Sequence, residues 1–177
     1  MPFTQLFVLV EGPDDERFVK AILEPRLISH YDWVRYYQFS KKPKRTVKNL
    51  LSSLGRMDSA DYLYFRDINR APCVSARKDK VDREYGPLID RNRIIIVVAE
   101  IESWYLAGLD DVACRKLRLD TFARTDDVPK ERFNDLKPRE FESRIDFMIE
   151  VLKRFSADTA RLKNRSFDYL MRRITPV

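Results

Sequence analysis

FVLVEGPDDERFVKAIL, residues 7–23, is the stretch that decides the fold. Residues 6–10 form an apolar run too short for a membrane span and rich in side chains that suit a fully buried strand. Gly12 and Pro13 turn the chain, and Asp14, Asp15 and Glu16 supply the acidic first turn that favours a helix N-terminus. Phe18 with Ile22, and Val19 with Leu23, recur four apart and give that helix an apolar face. Glu11 thus stands where a buried strand ends and a helix begins, the rim at which open α/β sheets bind ligands. The plainer alternative is that Glu11 merely starts a solvated loop.

The same alternation continues outward. DWVRYYQF, residues 32–39, reads as a second strand, and Val47, Leu50, Leu51 and Leu54 follow at helical spacing, with Thr46 as N-cap and Gly55 as stop. A third strand, residues 62–66, ends at Asp67 and Asn69, and a polar helix through Val74, Val81 and Tyr85 leads to Gly86 and Pro87. RIIIVV, residues 93–98, is the fourth strand, and AEIESWYLAG turns helical with Ile101, Tyr105 and Leu109 in phase. Strands separated by helices predict right-handed crossovers and an α/β, three-layer, Rossmann-like architecture with a mainly parallel four-stranded sheet.

From Asp110 the pattern is helical only. VACRKLRL is short, PKERFNDL opens with a proline, and SFDYLMRRI reads as a last short helix. REFESRIDFMIEVLKRF carries Phe141, Ile145, Met148, Ile149, Leu152 and Phe155 on one broad face. The expected organisation is an α/β domain over residues 1–109 and a helical extension over residues 110–177.

Composition narrows the function classes. The 177 residues carry 34 Lys and Arg against 28 Asp and Glu, a net charge of +6, which leans toward an anionic partner. No apolar stretch approaches the roughly 20 residues that cross a bilayer, and no basic region precedes the first apolar run. A cytoplasmic protein is expected, with Cys73 and Cys114 as free thiols. One histidine, His30, and two distant cysteines are too few for a zinc site, and four glycines exclude a P-loop or dinucleotide fingerprint. No G-x-S-x-G turn marks a serine hydrolase.

The acidic residues form a pattern. Glu11 follows the first strand, Asp67 the third, and Glu100 or Glu102 the fourth. If those strands are neighbours, the carboxylates converge, and hard oxygen ligands select Mg²⁺ or Mn²⁺. Such an ion activates water or stabilises a developing alkoxide in phosphodiester chemistry. Each acid also has a structural explanation, because Asp and Glu often end strands and cap helices.

VEGPDDERF, the acidic element after strand three, EIESWYLAG and the late NRSF motif of Asn164, Arg165, Ser166 and Phe167 together resemble the Toprim fold. The likeness is to small stand-alone Toprim-related families akin to the OLD nucleases, some linked to anti-phage defence. It implies Glu11 as general acid/base or metal ligand, Asp67 as first acid of a paired element, and Glu102 as the acid of an E-x-W signature. Asn69 stands where the family carries a second aspartate, an amide that brings no charge but can still offer its carbonyl oxygen to the metal ion.

KKPKRTVK follows strand two, placing Lys41, Lys42, Lys44, Arg45 and Lys48 near Tyr36, Tyr37 and Phe39. An exposed loop there would offer charges to phosphates and rings to bases. The tail adds Arg161, Lys163, Arg165, Arg172 and Arg173, which read as a solvated face. The functions expected are a Mg²⁺- or Mn²⁺-dependent nuclease, an inactive nucleic-acid-binding module, or a regulatory partner of an ATPase.

Overall fold

A computed structural model describes residues 4–174. The chain divides into two compact units, Met1–Ile96 and Val97–Val177. The first is built on a four-stranded, all-parallel sheet in the order β2-β1-β3-β4, from β1 (Gln5–Val10), β2 (Trp33–Gln38), β3 (Ala60–Asp67) and β4 (Ile94–Val97). β1 lies between β2 and β3, with Leu6 opposite Val34 on one side and Asp61 on the other.

This order fixes the layers. The chain leaves β1 in one direction to reach β2, then moves the opposite way to β3 and β4, so right-handed crossovers place the first helical segment on one face and the next two on the other. The alternation of β1 agrees. Leu9 packs with Val47, Leu51 and Leu54 of α3 (Lys44–Leu54) and Val81 and Tyr85 of α4 (Val74–Tyr85), joined by Tyr62, Tyr64, Ile94 and Ile96. Leu6, Val8 and Val10 are buried on the opposite face, and Phe18, Val19, Ile22 and Leu23 of the first helical segment are buried too. That segment runs as α1 (Pro13–Phe18), a π-helical turn (Val19–Leu23) and α2 (Glu24–Leu27).

The local chemistry differs from expectation at the start of α3. Thr46 lies inside α3, which starts after Pro43, whose φ is fixed near that of an extended N-cap (−56°, with ψ 140°). Cys73 caps α4 by accepting from Ala76 N at 3.5 Å, and both cysteines are free thiols.

Beyond the end of β4, the described residues of the second unit form helices joined by loops: α5 (Ile101–Ala107), α6 (Asp111–Lys116), α7 (Lys130–Leu136), α8 (Arg144–Leu152), α9 (Ala157–Lys163) and α10 (Arg165–Ile174). α8 is shorter than the apolar pattern suggests, because Ser143 and Asp146 form a capping box that starts the helix at Arg144. Its buried face is Phe147, Met148 and Val151, while Ile145 and Ile149 point outward. The sequence pattern does not predict α9, since ADTARLK carries almost no apolar periodicity. Ser156 caps it. Among the described residues, no helix is long and apolar enough to cross a membrane.

Candidate functional site

The connections after β1 and β3 leave the sheet toward opposite faces, which makes the gap between these two strand ends the topological switch point of the sheet. Glu11 and Asp67 occupy it. The Asp67 backbone N–H donates to Glu11 Oε1 at 3.0 Å, linking one carboxylate to the backbone that carries the other.

Two arginines that sequence reasoning did not single out stand beside them. Arg66 Nε lies 3.5 Å from Glu11 Oε1, an ionic contact longer than a good hydrogen bond. Its guanidinium covers the Phe39 ring at 5.2 Å and reaches the Tyr64 hydroxyl at 3.5 Å, which in turn pairs with the Tyr85 hydroxyl at 3.2 Å. Burial opposes charge on Arg66, yet its guanidinium lies above the ordinary range, with the neighbouring Glu11 carboxylate favouring the cation. Burial also pushes the Tyr64 hydroxyl far up, so it stays neutral. Arg77 donates from Nε to the Asp67 carbonyl at 2.7 Å, and burial together with Arg66 lowers it. The signal available was Arg66 itself, a cation set between the apolar run YLYF and Asp67.

Asn69 is exposed and takes a left-handed backbone, φ 49°, with Nδ2 donating to the Asp67 carbonyl at 3.3 Å. Asn is among the few side-chain-bearing residues that adopt this conformation readily.

In the second unit, Glu102 is 3% exposed and its carboxylate pairs with Arg144, which also donates from Nε to Asn134 Oδ1 at 2.7 Å. Burial raises the Glu102 carboxyl above its ordinary 4.5, against the pull of Arg144 and Lys130. Glu100 instead joins two helix starts, as the N-cap residue of α5 and through its Oε2, which accepts from Lys130 N at 2.6 Å where α7 begins. Ala99, just before it, has φ 61°, a strained value for a residue with a Cβ.

The E-x-W and NRSF motifs meet in a buried hydrogen-bond network. Ser166 Oγ accepts from Trp104 Nε1 at 2.8 Å and from Val98 N at 3.3 Å, and donates to Asn164 Oδ1 at 2.8 Å. Asn164 Nδ2 donates to Ser103 Oγ and Thr125 Oγ1 at 3.3 and 3.2 Å, and Ser103 Oγ donates back to the Val98 carbonyl at 3.2 Å. Trp104 and Phe167 pack edge to face with centroids 5.4 Å apart. These motif residues build the frame around the strand-to-helix turn that carries Glu100 and Glu102.

The basic segment is only partly a loop. Lys41 and Lys42 precede Pro43, whereas Lys44, Arg45 and Lys48 belong to α3, and all five are exposed. Lys44 Nζ lies 3.5 Å from Glu84. Phe39 is not a platform for bases, being buried and stacked on Tyr64 at 4.7 Å. Tyr36 is half-buried, bonded to Glu24 at 2.6 Å and covered by Lys20.

Mg²⁺ commonly takes one or two carboxylates and completes its shell with water and substrate phosphate. Glu11 and Asp67, hard oxygen donors on adjacent strand ends, fit that requirement. Among the described residues, no three His, Cys, Asp or Glu side chains gather as a ready-made metal cage. Scans against protein-family models, curated proteins and solved structures find no match for the chain.

Proposed function

We propose that the chain is a Toprim-like, Mg²⁺- or Mn²⁺-dependent phosphodiesterase acting on nucleic acid at the switch point between β1 and β3. The observation that carries this reading is the hydrogen bond from Asp67 N to Glu11 Oε1, which ties the Glu11 carboxylate to the backbone of the acidic residue that ends the adjacent parallel strand. Glu11 and Asp67 would hold the ion, whose chemistry there is charge neutralisation at a phosphate oxygen and a lowered pKa for bound water. Glu11 serves as the proton-handling group, its carboxylate oriented by the Asp67 N–H and Arg66. Arg77, anchored on the Asp67 carbonyl, orients the substrate phosphate. Lys41, Lys42, Lys44 and Arg45 bind the flanking backbone. Glu102 gives its charge to Arg144 and acts as a structural acid at the turn.

A second reading, a nucleic-acid-binding module without chemistry, is favoured by one observation: two guanidiniums already stand beside the two carboxylates, and position 69 adds no third acid. Calorimetric titration with Mn²⁺ and cleavage of labelled DNA and RNA separate the two. The hydrolase reading expects metal-stimulated cleavage that Glu11→Gln abolishes, and tighter Mn²⁺ binding in Asn69→Asp. Identical isotherms for wild type, Glu11→Gln and Asn69→Asp, with no cleavage, leave only the binding module.

A further inference from the structure

The helical unit holds a second concentration of charge that uses none of the residues of the strand-end site. Arg124, in the segment between α6 and α7, Arg161 of α9, and Arg165 and Arg172 of α10 line an open cleft of about 550 Å³ with Asp158, Leu162 and Asp168. Two carboxylates fix these guanidiniums in pairs. Asp168 meets Arg161 Nε at 2.9 Å and Arg172 at 2.5 Å, and Asp126 lies 3.4 Å from Arg165 and 3.9 Å from Arg124. The Arg161 hydrogen bond foremost, and then Arg172, hold the Asp168 carboxyl below its ordinary range, so the pair stays charged at neutral pH.

Each aspartate cancels one of its two arginines, and Asp158 reduces the remaining surplus to a single positive charge. The guanidiniums stay open to solvent, with side-chain exposures of 77% for Arg165, 71% for Arg172 and 62% for Arg124. Lysine, a point charge, is absent from the lining. Arginine's planar fork instead matches phosphate in a bidentate way. The volume lies within the range of about 300–1,000 Å³ typical of ligand sites, and a bare phosphate would leave most of it empty. Leu162 is 81% exposed in this lining and offers apolar surface for a sugar or base.

From this geometry we infer that the cleft of α9 and α10 binds a nucleoside phosphate, either a unit of a nucleic-acid strand or a free nucleotide. The inference is independent of the strand-end site and needs no metal.

The test uses the full chain with Lys41, Lys42, Lys44 and Arg45 changed to Ala, in EDTA, so that neither the basic segment nor an ion contributes. The probes are a labelled short oligothymidylate, thymidine monophosphate and inorganic phosphate. Arg124→Gln/Arg165→Gln should weaken oligothymidylate binding by about tenfold or more, the loss expected from charge-assisted hydrogen bonds. Arg124→Lys/Arg165→Lys, which keeps charge but loses the fork, should fall between. Leu162→Glu places a negative charge at an exposed position that carries no packing, and should weaken binding without lowering the melting temperature. Displacement by thymidine monophosphate identifies a free nucleotide as the source, and displacement by longer strands alone identifies nucleic acid. Equal binding by the parent and Leu162→Glu, or displacement by inorganic phosphate as strong as by thymidine monophosphate, would overturn the inference. Loss of metal-stimulated cleavage in Glu11→Gln reads the other site and is unaffected by this result.

Discussion

The backbone N–H of Asp67 donates to Glu11 Oε1 across 3.0 Å, so the glutamate that follows β1 is held by the main chain of β3. A glutamine at position 11 keeps a carbonyl oxygen for the same bond while losing the ionic contact with Arg66. Glu11→Gln should therefore change stability by no more than about 1 kcal/mol, the scale of a partly exposed ion pair, and still abolish metal-stimulated cleavage. Urea denaturation and a cleavage assay on the same preparation check both halves.

Ser166 joins Trp104, Val98 and Asn164 through three hydrogen bonds in a buried setting. Ser166→Ala should cost about 1–3 kcal/mol, the range for removing a partner from buried polar groups. Chemical denaturation gives the value, and a loss below about 0.5 kcal/mol would mean that the network tolerates its own interruption.

Gly108 ends α5 with the Phe155 ring packed against its Cα, leaving no room for a Cβ. Gly108→Ala should destabilise by about 1–3 kcal/mol through overpacking. Phe155→Leu in the same chain should recover part of that loss, since it removes the ring that the methyl group strikes.

The pH dependence of Glu102 has a definite sign. Its folded carboxyl titrates above the ordinary 4.5 because burial disfavours the charge. Such a group stabilises the fold fully below its unfolded value and loses that contribution as pH rises through the raised value. Glu102→Gln stays neutral, so its melting temperature relative to wild type should climb from about pH 4 to about pH 8. A relative fall over the same range would show that the Arg144 ion pair outweighs the burial.

Changing Lys41, Lys42, Lys44 and Arg45 to Ala should flatten the salt dependence of nucleic-acid binding by about one unit of slope for each phosphate no longer neutralised. Titrations at several salt concentrations read this directly. An unchanged slope would return these residues to a solvated face.

The parallel sheet was legible because its most apolar runs carry strong one-dimensional signals: RIIIVV, buried on both faces over β4, needs no partner to be recognised. Glu11 and Asp67 were legible from their places after such runs. Their arginine neighbours were not, because nothing in the spacing of YLYFRD tells whether Arg66 turns to solvent or lies over Phe39. The helical unit was harder still. Ile145 and Ile149 share a helix face with Met148 in the sequence pattern, but the capping box at Ser143 and the burial of Phe147 set which stripe turns inward. α9 rests on its Ser156 cap and a single fully buried residue, Ala160, and leaves no periodic trace.

The left-handed backbone at position 69 acts as a filter on what evolution can place there. Glycine, asparagine and aspartate pass it, while most other residues would strain the turn after β3. The amide present and an aspartate are therefore interchangeable there without remodelling the loop. Charge at this strand end is a reversible character, gained or surrendered by one substitution, while the scaffold that would use it stays in place.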